Sequence, residues 1–547
     1  MERDAFKPML FSVLKGYNGK QFTKDLIAGI IVAIIALPLS IALALASGVG
    51  PEKGIYTAIV AGFVISCLGG STVQIAGPTA AFATIVAGIV AKNGIDGLIV
   101  ATIMAGIILI LMGLFRLGTL IKFIPYTITT GFTAGIAVTI LIGQFKDFFG
   151  VTYLNGAAPI ETMEKLQAFF ANISTFNLQA ALVGVCCLLI LIFWPKVSEK
   201  VPGSLIAVLV SIFAVKLLKL NVNTIGDLYT ISGDLPKLHL PNVTFDTIQT
   251  LLPDAFTIAV LAAIESLLSC VVADGMVNTK HRSNMELIAQ GAGNMASALF
   301  GGIPATGAIA RTAANIKNGG RTPVAGMVHS ITLLLVLLVL MPYAALIPMP
   351  CIAAILFKVA YDMCQWRPFV TLLKNAPKSD IAVLLLTFFL TVIFDLVVAI
   401  EVGMVLACVL FMKRMSDEAN IHSWKNVDDA DDPDSLNLRQ IPPTIQVYEL
   451  SGPLFFGAAD LIETITHEKE TRALIMRMRS VPALDATALR SLKQLRKRCE
   501  EHGVTLIFSH VNDQPMHAMQ KSGFYDEVGA ENFCAHIDDA IARAEQI

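Results

Sequence analysis

Long runs of apolar residues, separated by short polar, glycine-rich or proline-rich breaks, fill the chain from about residue 25 to residue 413. A helix needs roughly 17 to 25 mainly apolar residues to cross the hydrocarbon core of a bilayer. Runs that fit full or half spans occur about fourteen times, so the pattern predicts a polytopic α-helical membrane protein. The predicted spans lie near residues 25–47, 54–70, 79–91, 95–115, 124–145, 178–194, 203–220, 254–274, 285–300, 307–318, 323–341, 343–361, 379–396 and 398–413.

Composition agrees with this class and excludes several functions. Of the 547 residues, 55% are hydrophobic and 15% are charged, whereas ordinary globular proteins carry about 25% charge. A net charge of -2 and the lack of a basic tract give no indication of a nucleic-acid partner. The 9 cysteines do not show metal-ligand spacing, so no metal or other cofactor is predicted. Without a nucleophile–base pair or a phosphate-binding loop, the sequence predicts no catalytic residue and no enzyme.

Positive charge in the connections predicts the orientation of the spans. Lysine and arginine fall in alternate connections, including Arg116, Lys196, Lys280, Arg321 and Lys378. The connections between them hold mostly acidic residues or no charge. Because positively charged loops stay on the cytoplasmic side, both termini are predicted to be cytoplasmic, with the chain in the inner (plasma) membrane.

The composition changes at both ends of the apolar region. We predict a cytoplasmic segment at 1–24, a transporter domain at 25–413, a charged linker at 414–441 and a small cytoplasmic α/β domain at 442–547. In that last domain, β-branched and apolar runs predict strands at 445–450, 473–478 and 504–508, and helical periodicity predicts helices at 460–469, 487–502 and 531–546.

The apolar region contains an internal repeat with matching breaks. In the first half, Gly77-Pro78-Thr79 follows a span that ends in two glycines, and in the second half Pro304 to Gly307 does the same. Thr79 and Thr306 lie 227 positions apart, since 306 minus 79 is 227. Seven spans per half is an odd number, so the halves must enter the membrane from opposite sides. Inverted repeats with interrupted helices in matching positions indicate a transporter's substrate site.

The two interrupted helices predict an anion-binding site. A helix start offers free N–H groups and a partial positive charge, which suit an anion. A broken helix at membrane depth is tolerated where it is buried in protein or lines a cavity. The predicted substrate-binding positions are Thr79, Ala80, Ala81 and Phe82 in the first half, and Thr306, Gly307, Ala308 and Ile309 in the second. The alternative is that these small residues only permit close helix packing.

Two charged residues lie within predicted spans near these breaks. A charge inside a span is expensive and indicates a function. Arg311, one turn beyond the second helix start, could attract the anion, could reach the interface, or could pair with Glu265. Glu265, with Ser269 four residues later on the same face, could load and release a proton beside a bound anion, or could form a structural ion pair with Arg311. Ser40, beside Pro38, is either a pocket hydroxyl or a group bonded to a helix carbonyl.

Several segments resemble one family in order and spacing. The first span, beginning Asp25-Leu-Ile-Ala-Gly and continuing through Pro38-Leu-Ser40, is similar to the SulP-type anion permeases, bacterial relatives of animal solute carrier family 26. So are Ala263-Ile-Glu265-Ser and Ala310-Arg311-Thr312. The chain from residue 442 onward resembles the STAS domain that usually follows. The residues of these segments are most similar to those of the sulfate and dicarboxylate permease branch.

The resemblance implies seven-plus-seven inverted repeats that form a core domain and a gate domain, with transport by an elevator-like movement. It implies a secondary active transporter of sulfate or related oxyanions, or of dicarboxylates such as succinate or fumarate. Because relatives with a glutamate at the position of Glu265 couple to protons, we expect proton symport. Sodium-coupled bicarbonate transport, or a chloride channel or exchanger, is the alternative.

The resemblance also implies roles for the STAS-like domain. Such domains mediate contacts within a homodimer or bind a regulatory protein. Thr487 lies where soluble STAS proteins carry a phosphorylated serine or threonine, so it is a candidate regulatory residue. Its alternative role is to cap a helix after Asp485.

Overall fold

The structure, a computed structural model, describes residues 6–119, 125–153, 159, 161–198, 201–231, 233–241, 244–394, 396–423 and 441–547. These residues form two compact units, one ending at Met404 and one beginning at Val405. Most of the linker predicted for 414–441 lies outside the described residues, at 424–440. The proposed domain boundaries therefore stay predictions.

The first unit is almost entirely helical. Its helices α1 to α9 are Met9–Val13, Gly19–Ala46, Pro51–Leu68, Ala83–Leu114, Tyr126–Gly143, Phe145–Phe148, Thr162–Ala171, Leu178–Val197 and Gly203–Leu217. Helices α10 to α18 are Ile225–Leu228, Phe245–Val277, Ser283–Leu299, Ile309–Lys317, Val324–Ala344, Met349–Cys364, Trp366–Asn375, Lys378–Ile393 and Leu396–Asp417. Two short strands, β1 (Ala76–Gly77) and β2 (Thr306–Gly307), interrupt this helical order.

Each predicted span has a counterpart among these helices. The predicted spans 79–91 and 95–115 form the two arms of α4, which bends where Gly94 adopts φ 68° and ψ -172°. That left-handed φ favours glycine. Among the described residues, seven helices are long and apolar enough to cross a membrane on their own, and some others, such as α13 with nine residues, have the length of half spans. The prediction of a polytopic helical membrane protein is confirmed.

The helices of the first unit pack in two groups. Helices α2, α3 and α4 pack with α11, α12, α13 and α14, and we call these seven the core group. Helices α5, α8 and α9 pack with α15 and α17, and we call these five the gate group. Each group combines helices of the first half with their counterparts in the second half. The division into a core and a gate therefore follows the predicted repeat.

Helix α16 was not predicted, because its ten residues are too few and too polar for a span. It has one apolar face, on which Phe369 is buried against Ala134 of α5 and Leu384 of α17. Arg367 and Lys374 are exposed on the other side. This division into an apolar and a polar face is typical of an amphipathic helix.

A buried carboxylate fixes the start of α2. Asp25 is fully buried and accepts hydrogen bonds from the Tyr17 hydroxyl at 3.0 Å, Gln21 Nε2 at 2.9 Å, the Arg321 amide at 2.9 Å and Thr322 Oγ1 at 2.6 Å. Burial and the adjacent carboxylate raise the pKa of Tyr17, which precedes the span, to about 12. The Tyr17 hydroxyl therefore stays a donor, and Asp25 joins α2 to the loop before α14.

The second unit contains a five-stranded sheet flanked by helices. Strands β3 to β7 are Asn420–Ser423, Ile445–Ser451, Ala473–Ser480, Thr505–Ser509 and Phe533–Cys534, and they are hydrogen-bonded in this order. Strand β3 is antiparallel to β4, and the remaining pairs are parallel. Helices α19 to α23 are Ala459–Glu463, Ala486–Glu501, Asp513–Lys521, Phe524–Val528 and Ile537–Glu545. The three predicted strands are confirmed, and the first and third predicted helices are shorter than predicted.

Alternation along the central strand β5 builds a core on each face of the sheet. Leu474 and Met476 belong to one apolar cluster, whereas Ile475 belongs to another cluster that includes Ile537 of α23. Because side chains alternate along a strand, a strand buried on both faces reads as one continuous apolar run. The prediction of a small α/β domain is confirmed.

Candidate anion site at the paired chain breaks

The two chain breaks predicted from the repeat meet in the core group. Strand β1 pairs antiparallel with β2, with Ala76 opposite Gly307 and Gly77 opposite Thr306. The amide of Ala308 extends the pairing by donating to the Ile75 carbonyl at 2.9 Å. Two segments far apart in sequence are thereby joined directly, and a helix starts beside each of them.

The first helix start follows Thr79, whose backbone is extended at φ -125° and ψ 159°. A 3-10 turn over Ala80–Phe82 leads into α4. The Phe82 amide donates to the Thr79 carbonyl at 3.3 Å, so the prediction that Phe82 offers a free N–H group is wrong. The amides of Ala80 and Ala81 remain, because the first N–H groups of a helix have no partner within it.

The second helix start lies later than predicted. Helix α13 begins at Ile309, since Gly307 and Ala308 are part of the strand pairing. Gly307 donates its amide to Ser266 Oγ at 3.1 Å, and Ala308 donates to Ile75. The prediction that Gly307 and Ala308 present free amides is therefore wrong. The amides that a ligand could use begin with that of Ile309.

Thr306 also differs from its predicted role, because its hydroxyl is engaged inside the core group. Thr306 Oγ1 lies 2.6 Å from Ser266 Oγ and donates to the Ala262 carbonyl at 3.1 Å. The residue is fully buried. Thr306 therefore holds the second break against α11, and its side chain does not face a ligand.

Glu265 lies beside the first helix start, as its predicted coupling role requires. Its Oε2 accepts a hydrogen bond from Thr79 Oγ1 at 2.9 Å. Ser269, one turn further along α11, is buried, and its hydroxyl has no partner among the described residues. No group of three or more His, Cys, Asp or Glu side chains in the described part of the chain is placed to hold a metal ion.

Arg311 is 1% exposed, and its hydrogen bonds among the described residues do not include Glu265. Its Nη2 donates to the Pro78 carbonyl at 3.1 Å and to Ser40 Oγ at 3.3 Å. Within the described residues Arg311 has no ion-pair partner, so the alternatives of a pair with Glu265 and of a side chain reaching the interface are wrong. The Nε and Nη1 atoms are buried without partners among those residues.

Exposure separates the predicted site residues into two sets. Thr79, Glu265 and Ile309 are partly exposed, and Ala310 is exposed, so these residues line one open face. The predicted ligands Ser40, Ala80, Ala81, Phe82, Thr306, Gly307 and Arg311 are buried. A bound anion would thus meet backbone amides and Glu265 first, with the Arg311 charge behind the backbone.

A cavity of about 220 Å³ separates the core and gate groups close to the first helix start. Thr84 and Ile85 of α4 line it from the core group, and Ile136 of α5 and Thr391 of α17 line it from the gate group. The two groups are thus not packed together throughout this region. The lining of the cavity does not include Thr79, Glu265 or Ile309.

The sequence analysis missed the polar residues that support the two breaks. Gln74 accepts a hydrogen bond from the Cys270 thiol, and Thr312 Oγ1 accepts one from the Ile75 amide at 3.0 Å. Asn294 bonds both the amide and the carbonyl of Ala305 at 2.8 Å. Each of these polar residues lies in an apolar stretch, which is the signal that could have identified them.

Gly77 gives a direct test of how tightly the site is packed. A Cβ at Gly77 would collide with Arg311 Nη1, whereas a Cβ at Gly275, in the exposed last part of α11, would meet no atom within 4 Å. We expect Gly77→Ala to reduce anion uptake by about tenfold or more, because overpacking costs about 1–3 kcal/mol. Gly275→Ala is the matched control, and uptake by it should equal that of the wild type within about twofold. Equal uptake by both variants would contradict the geometry.

Thr487 in the second unit is exposed, as a regulatory residue must be, but it does not cap a helix. The cap of α20 is Asp485, which accepts from the Ala488 amide at 2.8 Å and from the Phe456 amide at 3.0 Å. The alternative role of Thr487 as a cap is therefore wrong. Thr487 lies in the first turn of α20, where a phosphate would interact favourably with the helix dipole.

Comparison with known families agrees with this architecture. Residues 22–387 match the sequence model of the sulfate permease family. The chain belongs to that family. Residues 436–540 match the STAS domain, so this member of the family carries the C-terminal domain that its sequence resembles.

Similarity to known relatives extends over nearly the whole chain. The chain is 42% identical to YvdB of Bacillus subtilis (strain 168), whose name assigns it provisionally to sulfate transport, over 96% of this chain and 98% of that protein. It is 33% identical to the bicarbonate transporter BicA of Picosynechococcus sp. (strain ATCC 27264 / PCC 7002 / PR-6), over 86% of this chain and 85% of that protein. These relatives are transporters and not enzymes.

Solved structures show the same fold. The transmembrane domain of a cyanobacterial BicA matches with a TM-score of 0.63 and 31% identity, covering 72% of this chain and 98% of that one. SLC26A9 matches with a TM-score of 0.87 over 99% of this chain and 93% of that chain. At 18% identity, the likeness to SLC26A9 describes the fold alone.

Proposed function

We propose that this member of the family is a secondary active transporter that moves sulfate, or a related oxyanion or dicarboxylate such as succinate or fumarate, together with protons. The observation that supports the proposal is the pairing of two chain breaks, β1 with β2, which joins the segments that precede the two helix starts, and the first of these starts bonds to Glu265 through Thr79. Helix starts attract oxyanions through their amides and dipoles. The 42% identity to YvdB supports sulfate as the first substrate to test.

The position of Glu265 supports proton coupling. Its carboxylate accepts from Thr79, the residue that starts the first half-helix, so both lie at the same open face. A carboxylate and a dianion at one face repel each other, and a proton on Glu265 removes the repulsion. Binding of the anion and of the proton would therefore favour each other, as symport requires.

The strand pairing supports an elevator-like movement. Because β1 and β2 are hydrogen-bonded to each other, both helix starts belong to the core group. The core group can therefore carry the complete site past the gate group. The cavity of about 220 Å³ between the two groups lies where such sliding would begin.

The proposal also covers the membrane location, the oligomeric state and the regulation of the transporter. The charge of the loops supports an inner (plasma) membrane location with both termini in the cytoplasm. The STAS domain there would support a homodimer or would bind a regulatory protein, with exposed Thr487 as a candidate regulatory site.

Sodium-coupled bicarbonate transport is the second candidate function. It is supported by the 33% identity to BicA, which is named a bicarbonate transporter. The Glu265 carboxylate, Thr79 Oγ1 and the Ser269 hydroxyl could supply oxygen ligands to a small cation instead of a proton. The two candidates differ in the ion that drives uptake.

Uptake by the purified full-length protein in liposomes distinguishes the candidates. Radiolabelled sulfate, succinate and bicarbonate are offered in turn under an imposed proton gradient and an imposed sodium gradient. Accumulation of sulfate or succinate driven by protons supports the proposal, whereas accumulation of bicarbonate driven by sodium supports the second candidate. If none of the three accumulates, the substrate proposal is wrong. Large unitary currents in planar bilayers would instead identify an anion channel.

A further inference from the structure

His329 is a buried polar residue of the core group to which the proposed mechanism gives no role. It lies within α14 and is 0% exposed. Neither Nδ1 nor Nε2 has a hydrogen-bond partner among the described residues. Leaving a buried donor or acceptor unpaired is costly. A histidine in this state points to a partner that completes its hydrogen bonding.

The buried guanidinium of Arg311 lies close to the same place. Ser330, the next residue of α14, donates to the Ala58 carbonyl at 3.1 Å. A Cβ added to Gly77 would lie 3.7 Å from the Ala58 Cα and would collide with Arg311 Nη1. Helix α14, helix α3 and the guanidinium therefore surround one small buried region.

The hydrogen-bonding capacities of the two side chains match. Arg311 uses Nη2 on Pro78 and Ser40 and has Nε and Nη1 left as donors. A protonated His329 would be a second cation next to the buried Arg311, and the two charges would repel each other strongly. We therefore assign the neutral imidazole to His329. A neutral imidazole has one nitrogen that accepts a hydrogen bond.

We propose that His329 is a positioning residue for Arg311, whose Nε or Nη1 donates to a buried water molecule that in turn donates to the acceptor nitrogen of His329. The guanidinium would then be held from α14 on one side and from Pro78 and Ser40 on the other. Since Pro78 directly precedes Thr79, a fixed guanidinium fixes the start of the first half-helix. The effect on affinity rests on the proposed function, whereas the hydrogen bond itself does not.

The hydrogen bond can be measured without any substrate. Nitrogen-15 NMR of the full-length protein with labelled histidines reports the state of each ring nitrogen, and His329→Gln identifies the His329 signals among the 9 histidines. We expect the signal of the acceptor nitrogen to move in Arg311→Met. An unchanged His329 signal in that variant would overturn the proposal, even if transport proceeds as proposed.

The effect on transport is measured by sulfate uptake in liposomes. We expect His329→Leu to raise KM by about tenfold while Vmax stays within about twofold, because a bond to a charged donor is lost. His329→Gln, whose amide oxygen can accept, should restore KM to within about threefold of the wild type. Thr102→Val is the control for the loss of a buried polar group in the core group, because the Thr102 hydroxyl is bonded within its own helix. Failure of glutamine to restore KM would contradict the proposal.

A double-mutant comparison tests whether His329 acts through Arg311. If it does, His329→Leu should change KM in the wild type but add little when Arg311 is already methionine. Effects that simply add would contradict the proposal. If the wild-type protein does not transport sulfate, the proposed substrate is wrong. The NMR comparison alone then tests the hydrogen bonding between His329 and Arg311.

Discussion

Arg311→Met is expected to reduce sulfate uptake by about 100-fold or more. The substitution removes the buried positive charge behind the open face and leaves the Pro78 carbonyl without the donor that lies 3.1 Å away. Removing one partner of a buried charged interaction typically costs about 3 kcal/mol or more, which is a factor of about 100. Initial uptake rates in liposomes, divided by the amount of folded protein, are the measurement.

Arg311→Lys is the matched variant for this prediction. It keeps the charge, but a single ammonium group replaces only the donors of Nη2, which serve Pro78 and Ser40, and lacks the further donors on Nε and Nη1. We expect an intermediate loss of about tenfold. Melting temperatures of both variants in detergent would separate an effect on the site from an effect on folding. Uptake by Arg311→Met within about threefold of the wild type would show that the buried charge has no role in transport.

Glu265→Gln is expected to abolish accumulation driven by a proton gradient while exchange of internal for external anion continues. The glutamine amide can still bond to Thr79, but it cannot gain or lose a proton. Proton-driven accumulation should fall to the level without a gradient, whereas exchange should stay within about fivefold. Both quantities are measured in the same liposome preparation, so their ratio does not depend on the amount of protein.

Glu286→Gln controls for the loss of a buried carboxylate as such. Glu286 is fully buried on α12, where it accepts from the Gly70 amide and from Gln290, each at 2.8 Å. The ratio of proton-driven accumulation to anion exchange in Glu286→Gln should match that of the wild type, even if the variant is less stable. If Glu265→Gln keeps a normal ratio, protons are not coupled through Glu265. Loss of both activities in Glu265→Gln would instead assign the residue to anion binding.

The spans could be predicted from the sequence because each depends on a local run of apolar residues. The same is true of the repeat, since Gly-Pro-Thr in one half and Pro-Ala-Thr-Gly in the other are visible without a structure. The bend of α4 was also predictable, because the two predicted spans meet near Gly94. Helix α16 was not, since its amphipathic pattern is short and lies between two spans.

The details of the candidate site depend on contacts between distant segments, which one sequence does not specify. Gly307 and Ala308 were predicted to offer amides to a ligand, but those amides are used by Ser266 and Ile75. The direction of the Arg311 side chain depends on where α2 and β1 lie. For His329 a signal was available, because a histidine inside a long apolar span indicates a function.

The hydrogen bonds between Ala76–Gly77 and Thr306–Gly307 have a consequence for selectivity. In the proposed elevator movement, an anion held at these helix starts would keep the same ligands whether the core group faces the cytoplasm or the outside. The preference among anions should therefore be equal for import and export, and the direction of net flow should depend on the gradients of the anion and of the proton. A substitution that changes the preferred anion should change it equally in both directions.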